Sequence, residues 1–74
     1  MVKIKYIGYL AELAGRREEE FKINGKVKVK KLIEQRIKKG LEELVILVNG
    51  LPGSLETLVD DDDIVSILPV ISGG

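Results

Sequence analysis

The sequence contains neither cysteine nor histidine. Without cysteine there is no disulfide framework and no thiolate nucleophile, and without histidine there is no imidazole base; together the two absences remove the usual zinc ligand sets. Aromatic residues are limited to Tyr6, Tyr9 and Phe21, too few for a base-stacking platform. No stretch approaches the roughly 20 apolar residues of a membrane span. The opening Met1-Val2-Lys3-Ile4-Lys5 lacks the apolar run of a signal peptide, so the expected location is cytoplasmic, with no membrane partner. Nor is one sign of charge in excess: 12 basic residues face 12 acidic ones, for a formal net charge of +0, and no nucleic-acid partner is expected.

What is present is a globular mixture, 45% hydrophobic and 32% charged, in 74 residues. That length suits one small domain, which buries only about 60% of the surface its unfolded chain exposes. Nearly every large aliphatic residue is then needed inside, and few side chains remain for a catalytic cleft.

Val2-Lys3-Ile4-Lys5-Tyr6-Ile7-Gly8-Tyr9 alternates and then turns apolar on both sides, the pattern of a strand entering the middle of a sheet. Leu10-Ala11-Glu12-Leu13-Ala14-Gly15 reads as a short helical turn closed by Gly15. In Arg17-Glu18-Glu19-Glu20-Phe21-Lys22-Ile23, Glu19, Phe21 and Ile23 share one face, and so charged a strand suits a sheet edge. Asn24-Gly25 signals a turn. Lys26-Val27-Lys28-Val29-Lys30 alternates like a strand, yet Val29, Leu32, Ile33 and Ile37 recur at helical spacing, which predicts a helix from Val29 to a Lys38-Lys39-Gly40 terminus. Leu44-Val45-Ile46-Leu47-Val48 predicts a buried strand ending at Asn49-Gly50. Residues 51–59 read as loop or short strand, with Leu51, Leu55 and Leu58 covering the core. Ile64-Val65-Ser66-Ile67-Leu68 is the last strand, and Pro69, lacking an N–H, marks its stop.

The resulting class is α+β, a mixed sheet of four to five strands with one main helix on one face: the β-grasp, ubiquitin-like pattern. Residues 1–68 form the domain and residues 69–74 a tail ending in Gly-Gly. Average glycine usage puts a chance terminal Gly-Gly in roughly 0.5% of chains. Glycine enters a channel that excludes side chains, and at about 3.3–3.6 Å per extended residue the tail reaches about 20 Å from the sheet.

The first strand with the Leu10-Ala11-Glu12-Leu13-Ala14-Gly15 turn, the Val48-Asn49-Gly50 turn, Asp63-Ile64-Val65-Ser66-Ile67-Leu68-Pro69 and the closing Ser72-Gly73-Gly74 resemble the ubiquitin-like sulfur carriers. Within them the short helix after the first strand is similar to the molybdopterin synthase small subunits (MoaD type) rather than the thiamine carriers. Members often have Gly-Asp before the last strand and two prolines after it, where this chain has Asp62-Asp63 and Leu68-Pro69. The resemblance implies that Gly74 is adenylated by a ubiquitin-activating-type enzyme using ATP, then converted to a thiocarboxylate that enters the large subunit of molybdopterin synthase. Catalysis would belong to these partners, with no cofactor bound to the chain itself. Pro69, Val70, Ile71, Ser72 and Gly73 would contact the partner. Archaeal ubiquitin-like modifiers, joined through the terminal glycine to lysines of other proteins, share these features, and carriers for thiamine or tRNA thiolation stay open.

Two charged features read more simply. Asp60-Asp61-Asp62-Asp63 does not match an EF-hand loop and reads as a solvated turn, with no metal expected. Lys26, Lys28, Lys30 and Lys31 read as a solvated face.

Overall fold

The computed structural model describes residues 1–70. Strand β1 (Val2–Tyr6) alternates strictly, with Val2, Ile4 and Tyr6 buried and Lys3 and Lys5 turned outward. Helix α1 (Leu10–Ala14) seats Leu10 and Ala14 in the core and ends at Gly15, whose φ of 80° supplies the left-handed cap expected of it. Strand β2 (Glu18–Phe21) follows, then β3 (Val27–Lys28), helix α2 (Val29–Ile33), a 3₁₀ turn (Leu41–Glu43), β4 (Leu44–Val48), β5 (Leu51–Gly53), β6 (Leu58–Val59) and β7 (Ile64–Pro69).

Five strands make a mixed sheet in the order β2-β1-β7-β4-β5. The last strand in sequence lies at its centre, parallel to β1 and antiparallel to β4. The charged β2 is an edge strand, as its composition requires. One face of the sheet carries Val2, Ile4, Tyr6, Ile46, Val65 and Ile67 against Leu10 of α1 and Val29, Leu32 and Ile33 of α2. The opposite face is uncovered by either helix.

Both signals in the ambiguous segment prove real. Val27 and Lys28 pair antiparallel with Val59 and Leu58, and the helix begins at the next residue, Val29, whose N–H donates to the Thr57 carbonyl. The predicted run to Lys38 and Gly40 is corrected: α2 stops at Ile33. There Gln35 Nε2 donates to the Lys31 carbonyl at 3.3 Å, the acceptor its own backbone N–H would need to continue the ladder. Two further bonds, from the Arg36 and Ile37 N–H groups to the Ile33 carbonyl, keep the chain turned so that Ile37 is buried. Gly40 is left-handed, but it opens the 3₁₀ turn instead of closing α2.

Three smaller expectations are also revised. The first strand ends at Tyr6, and Ile7 and Tyr9 are exposed. Leu51 and Leu58 are 70% and 55% exposed, and of the three leucines in residues 51–59 only Leu55 packs on the core. Pro69 stays inside β7, paired with Leu44, because an antiparallel ladder tolerates a missing donor at its last position.

The aspartate run folds as a turn held by its own groups. Asp63 Oδ2 accepts the Asp60 N–H at 2.7 Å and Asp63 Oδ1 accepts from Asn49 Nδ2 at 2.9 Å. Asn49, at φ 53°, also receives the Ile64 N–H on Oδ1, which joins the β4–β5 turn to the start of β7.

Candidate functional site

β7 leads toward residues 70–74, where the sequence analysis expects the site, so its anchoring sets where that segment begins. On one side it is bonded to β1, the last contact being Ile7 N–H to the Ile67 carbonyl at 3.0 Å. On the other, the β4 register runs from Val48 opposite Val65 to Leu44 opposite Pro69. Gly8 closes the exit: its φ of +64° turns the chain after β1 past the Pro69 ring, and a Cβ there would stand 3.6 Å from Pro69 Cγ. A strand paired along both edges resists pulling better than an edge strand, because every ladder must be broken together. The structure therefore places Pro69 at a fixed root and Val70, 53% exposed, just beyond it. Ile71, Ser72, Gly73 and Gly74 lie outside the described residues.

The open face of the sheet beside this root is split in character. β1 and β2 present Lys3, Lys5, Glu18 and Glu20, with a Lys3–Glu18 ion pair at 3.8 Å. On the other half, Val45 of β4 stands opposite Leu68 of β7, Leu47 opposite Ser66, and Pro52 opposite Leu47. Val45 is 42% exposed and Ile64 41%, so this apolar half adjoins β7 along its length. An apolar strip of this kind, beside a strand end, is what a protein partner covers.

The helical side carries a polar cluster that the sequence reading did not single out. Glu19, inward-facing on β2, is buried and accepts from Tyr6 Oη at 2.9 Å, from Arg16 Nη1 at 3.3 Å, and from Arg36 Nε at 3.0 Å and Nη2 at 2.6 Å. The Arg36 hydrogen bonds hold the Glu19 carboxyl below its ordinary range, against the opposing effect of burial. Burial, reinforced by the neighbouring carboxylate, pushes the Tyr6 hydroxyl far up, so it stays a donor. All its partners are internal, so the cluster joins β1, β2 and the segment after α2. The available signal was Glu19 itself, a carboxylate sharing a face with Phe21 and Ile23.

Among the described residues no group of three or more carboxylates is arranged to hold a metal ion, and no helix is long and apolar enough to cross a membrane. The full sequence supplies no thiol and no imidazole, so thiolate and histidine chemistry are absent from its side chains. The described arrangement is an apolar half-face beside a central strand paired on both edges as far as Pro69.

A search of curated protein sequences found no match. Solved structures do match. A candidate molybdopterin converting factor subunit 1 from Pyrococcus furiosus is 30% identical over 95% of this chain and 97% of that one, with a TM-score of 0.75. Small archaeal modifier protein 1 from Methanosarcina acetivorans is 31% identical over 99% and 95%, with a TM-score of 0.65. A chain in the Amycolatopsis orientalis BexX/CysO complex is 25% identical over 100% of both, with a TM-score of 0.71. The sequence signature of the ThiS family matches residues 4–74, nearly the whole length and including the Gly-Gly end. This β-grasp chain thus belongs to the ThiS family, among ubiquitin-like sulfur carriers and modifiers.

Proposed function

We propose that the protein is a sulfur carrier of the molybdopterin synthase type, with Gly74 as the loaded residue. The observation that carries this reading is the central, doubly paired β7, which ends at Pro69 five residues before Gly74, joined to the likeness to a molybdopterin converting factor subunit. A carboxylate is a poor acyl donor because attack on it must expel an oxide. ATP on an adenylating partner converts it: a Gly74 carboxylate oxygen attacks the α-phosphorus, pyrophosphate leaves, and an acyl adenylate results. Sulfide then attacks the carbonyl carbon, AMP departs, the S–H proton is lost to solvent, and a thiocarboxylate remains.

The partner supplies every catalytic side chain. The carrier contributes position: with the apolar half-face docked and Pro69 fixed, five residues from Val70 to Gly74 span about 17 Å into the partner's site. Gly73 passes where a Cβ would block. Holding the sulfur beside its acceptor removes much of the entropic barrier to transfer.

A second reading, a modifier joined through Gly74 to lysines of target proteins, is favoured by the likeness to small archaeal modifier protein 1. Intact-mass measurement separates the two. After incubation with ATP, sulfide and an extract of the source cells, replacement of one oxygen by sulfur at Gly74 supports the carrier. Larger covalent adducts support the modifier, and an unchanged mass together with full partner activity after deletion of Gly73 and Gly74 defeats both.

A further inference from the structure

Between α1 and the segment that follows α2 lies a groove of ≈ 260 Å³ lined by Leu13, Arg36, Ile37, Lys38 and Lys39. Its lining holds three cations and no carboxylate, in a chain whose formal net charge is +0. Leu13 is 59% exposed although α1 is otherwise seated in the core through Leu10 and Ala14, and Ile37 beneath it is buried. An aliphatic side chain left in water beside a buried one makes an apolar floor.

The rim is partly preorganised. Arg36 is held through Nε and Nη2 on Glu19, and its Nη1 makes no hydrogen bond among the described residues. Arg16 shares the same carboxylate, so two guanidinium groups face one Glu19 and a positive charge is left over. Lys38 and Lys39 are exposed and form no ion pair among the described residues. Glu34, one turn before Lys38, Glu42, three residues after Lys39, and Glu12, beside Leu13, are the nearest acids along the chain; none lines this groove, and Glu34 faces the adjoining hollow together with Ile37 and Lys38.

We propose that this groove docks an acidic segment of a partner protein, with one aliphatic or aromatic side chain on Leu13 and Ile37 and carboxylates on Arg36, Lys38 and Lys39. The apolar floor and the scarcity of aromatics favour a peptide over a nucleic acid, whose phosphates need a longer cationic track and whose bases need stacking surfaces. The groove lies on the helical side of the sheet, since both Arg36 and α1 are tied to inward-facing residues, whereas the apolar half-face lies on the other side. A partner gripping it leaves that half-face uncovered. The inference stands apart from the chemistry proposed for Gly74.

The test is a nuclear magnetic resonance titration of the isotope-labelled full chain with a synthetic peptide, Asp-Glu-Leu-Asp-Glu-Leu-Asp-Glu. Amide shifts confined to Leu13 and to Arg36, Ile37, Lys38 and Lys39 are the expected result. Affinity should fall about fivefold or more in the Lys38→Glu/Lys39→Glu double variant, in Leu13→Ser, and at high salt. These positions are solvent-exposed, so unchanged spectra elsewhere report that the variants keep their fold. No shifts, shifts spread beyond the groove, or equal affinity for the peptide with serine in place of both leucines would each overturn the proposal. So would equally tight binding of oligothymidylate, or self-association through the groove in the absence of peptide.

Discussion

Arg36 grips Glu19 with two nitrogens, the closer contact being Nη2 to Oε1 at 2.6 Å, across 17 residues of sequence. The pair ties the edge strand β2 to the segment in which helix α2 has already ended. Tyr6 and Arg16 complete the shell, so the buried carboxylate has a donor at each oxygen. Glu19→Ala removes the shared acceptor and leaves Tyr6 Oη without its buried partner. The expected loss is about 1–3 kcal/mol in chemical denaturation, below the figure for a fully buried pair because water reaches both arginines. Glu19→Gln should lose less, since its carbonyl still accepts.

The same carboxylate predicts a pH dependence. The folded-state value of Glu19 lies below its ordinary 4.5, so its contribution is fully present above that pH and is lost as pH falls through the depressed value. Asp63, lowered chiefly by the Asp60 N–H, acts in the same direction. Melting temperature measured against pH should decline below the ordinary carboxylate range. In Glu19→Gln the decline should be shallower.

Gly8 turns the chain at the root of β7. Gly8→Ala forces a Cβ into a φ of +64°, while the contact it makes with Pro69 at 3.6 Å is ordinary. Backbone strain alone should therefore cost about 1–2 kcal/mol by thermal or chemical melting. Gly8→Asn should recover part of the loss, because asparagine tolerates the left-handed region. If alanine and asparagine cost the same, crowding at Pro69 and not backbone angle is the cause.

Asn49 distinguishes its two side-chain atoms by their partners: Oδ1 receives the Ile64 N–H and Nδ2 donates to Asp63. Asn49→Asp keeps the first bond and sets a carboxylate oxygen against Asp63. Roughly 1 kcal/mol of destabilisation is expected at neutral pH. Acidification should relieve it, giving the variant a pH trend opposite to that of the Glu19 cluster.

Val45, opposite Leu68 on the open face, should matter to partners more than to folding. Val45→Lys places a charge in the apolar half-face at a position already 42% exposed, so its stability cost should stay within about 1 kcal/mol. With an adenylating partner, the KM for this carrier should rise about fivefold or more, with little change in kcat. A matching fall in kcat alone would place the docking contact elsewhere.

Much of the site was legible along the chain. The alternation in β1 is a period-2 trace of which face of the sheet is buried, while the unbroken apolar run of β4 and the strand before Pro69 declared strands without declaring a face: of β4 only Ile46 is buried and Val45 is 42% exposed. The edge position of β2 was legible from its charges. The end of α2 was not, because the Gln35 side chain competes with its own backbone for the Lys31 carbonyl, and spacing of apolar residues carries no trace of that bond. The exposure of Leu51 and Leu58 was equally hidden, since β5 and β6 are too short for a pattern to declare a face.

By itself the sequence determined which chemical groups the chain has. A chain without cysteine or histidine has no thiolate, imidazole or disulfide, and its Ser72-Gly73-Gly74 segment marks the expected site. Only the tertiary structure decided that the strand leading there is the central one, that its neighbours build an apolar half-face beside it, and that Glu19 gathers Tyr6, Arg16 and Arg36. Strand order and a shared carboxylate join residues far apart in the chain, and local periodicity reports only which way a side chain points, not what it meets.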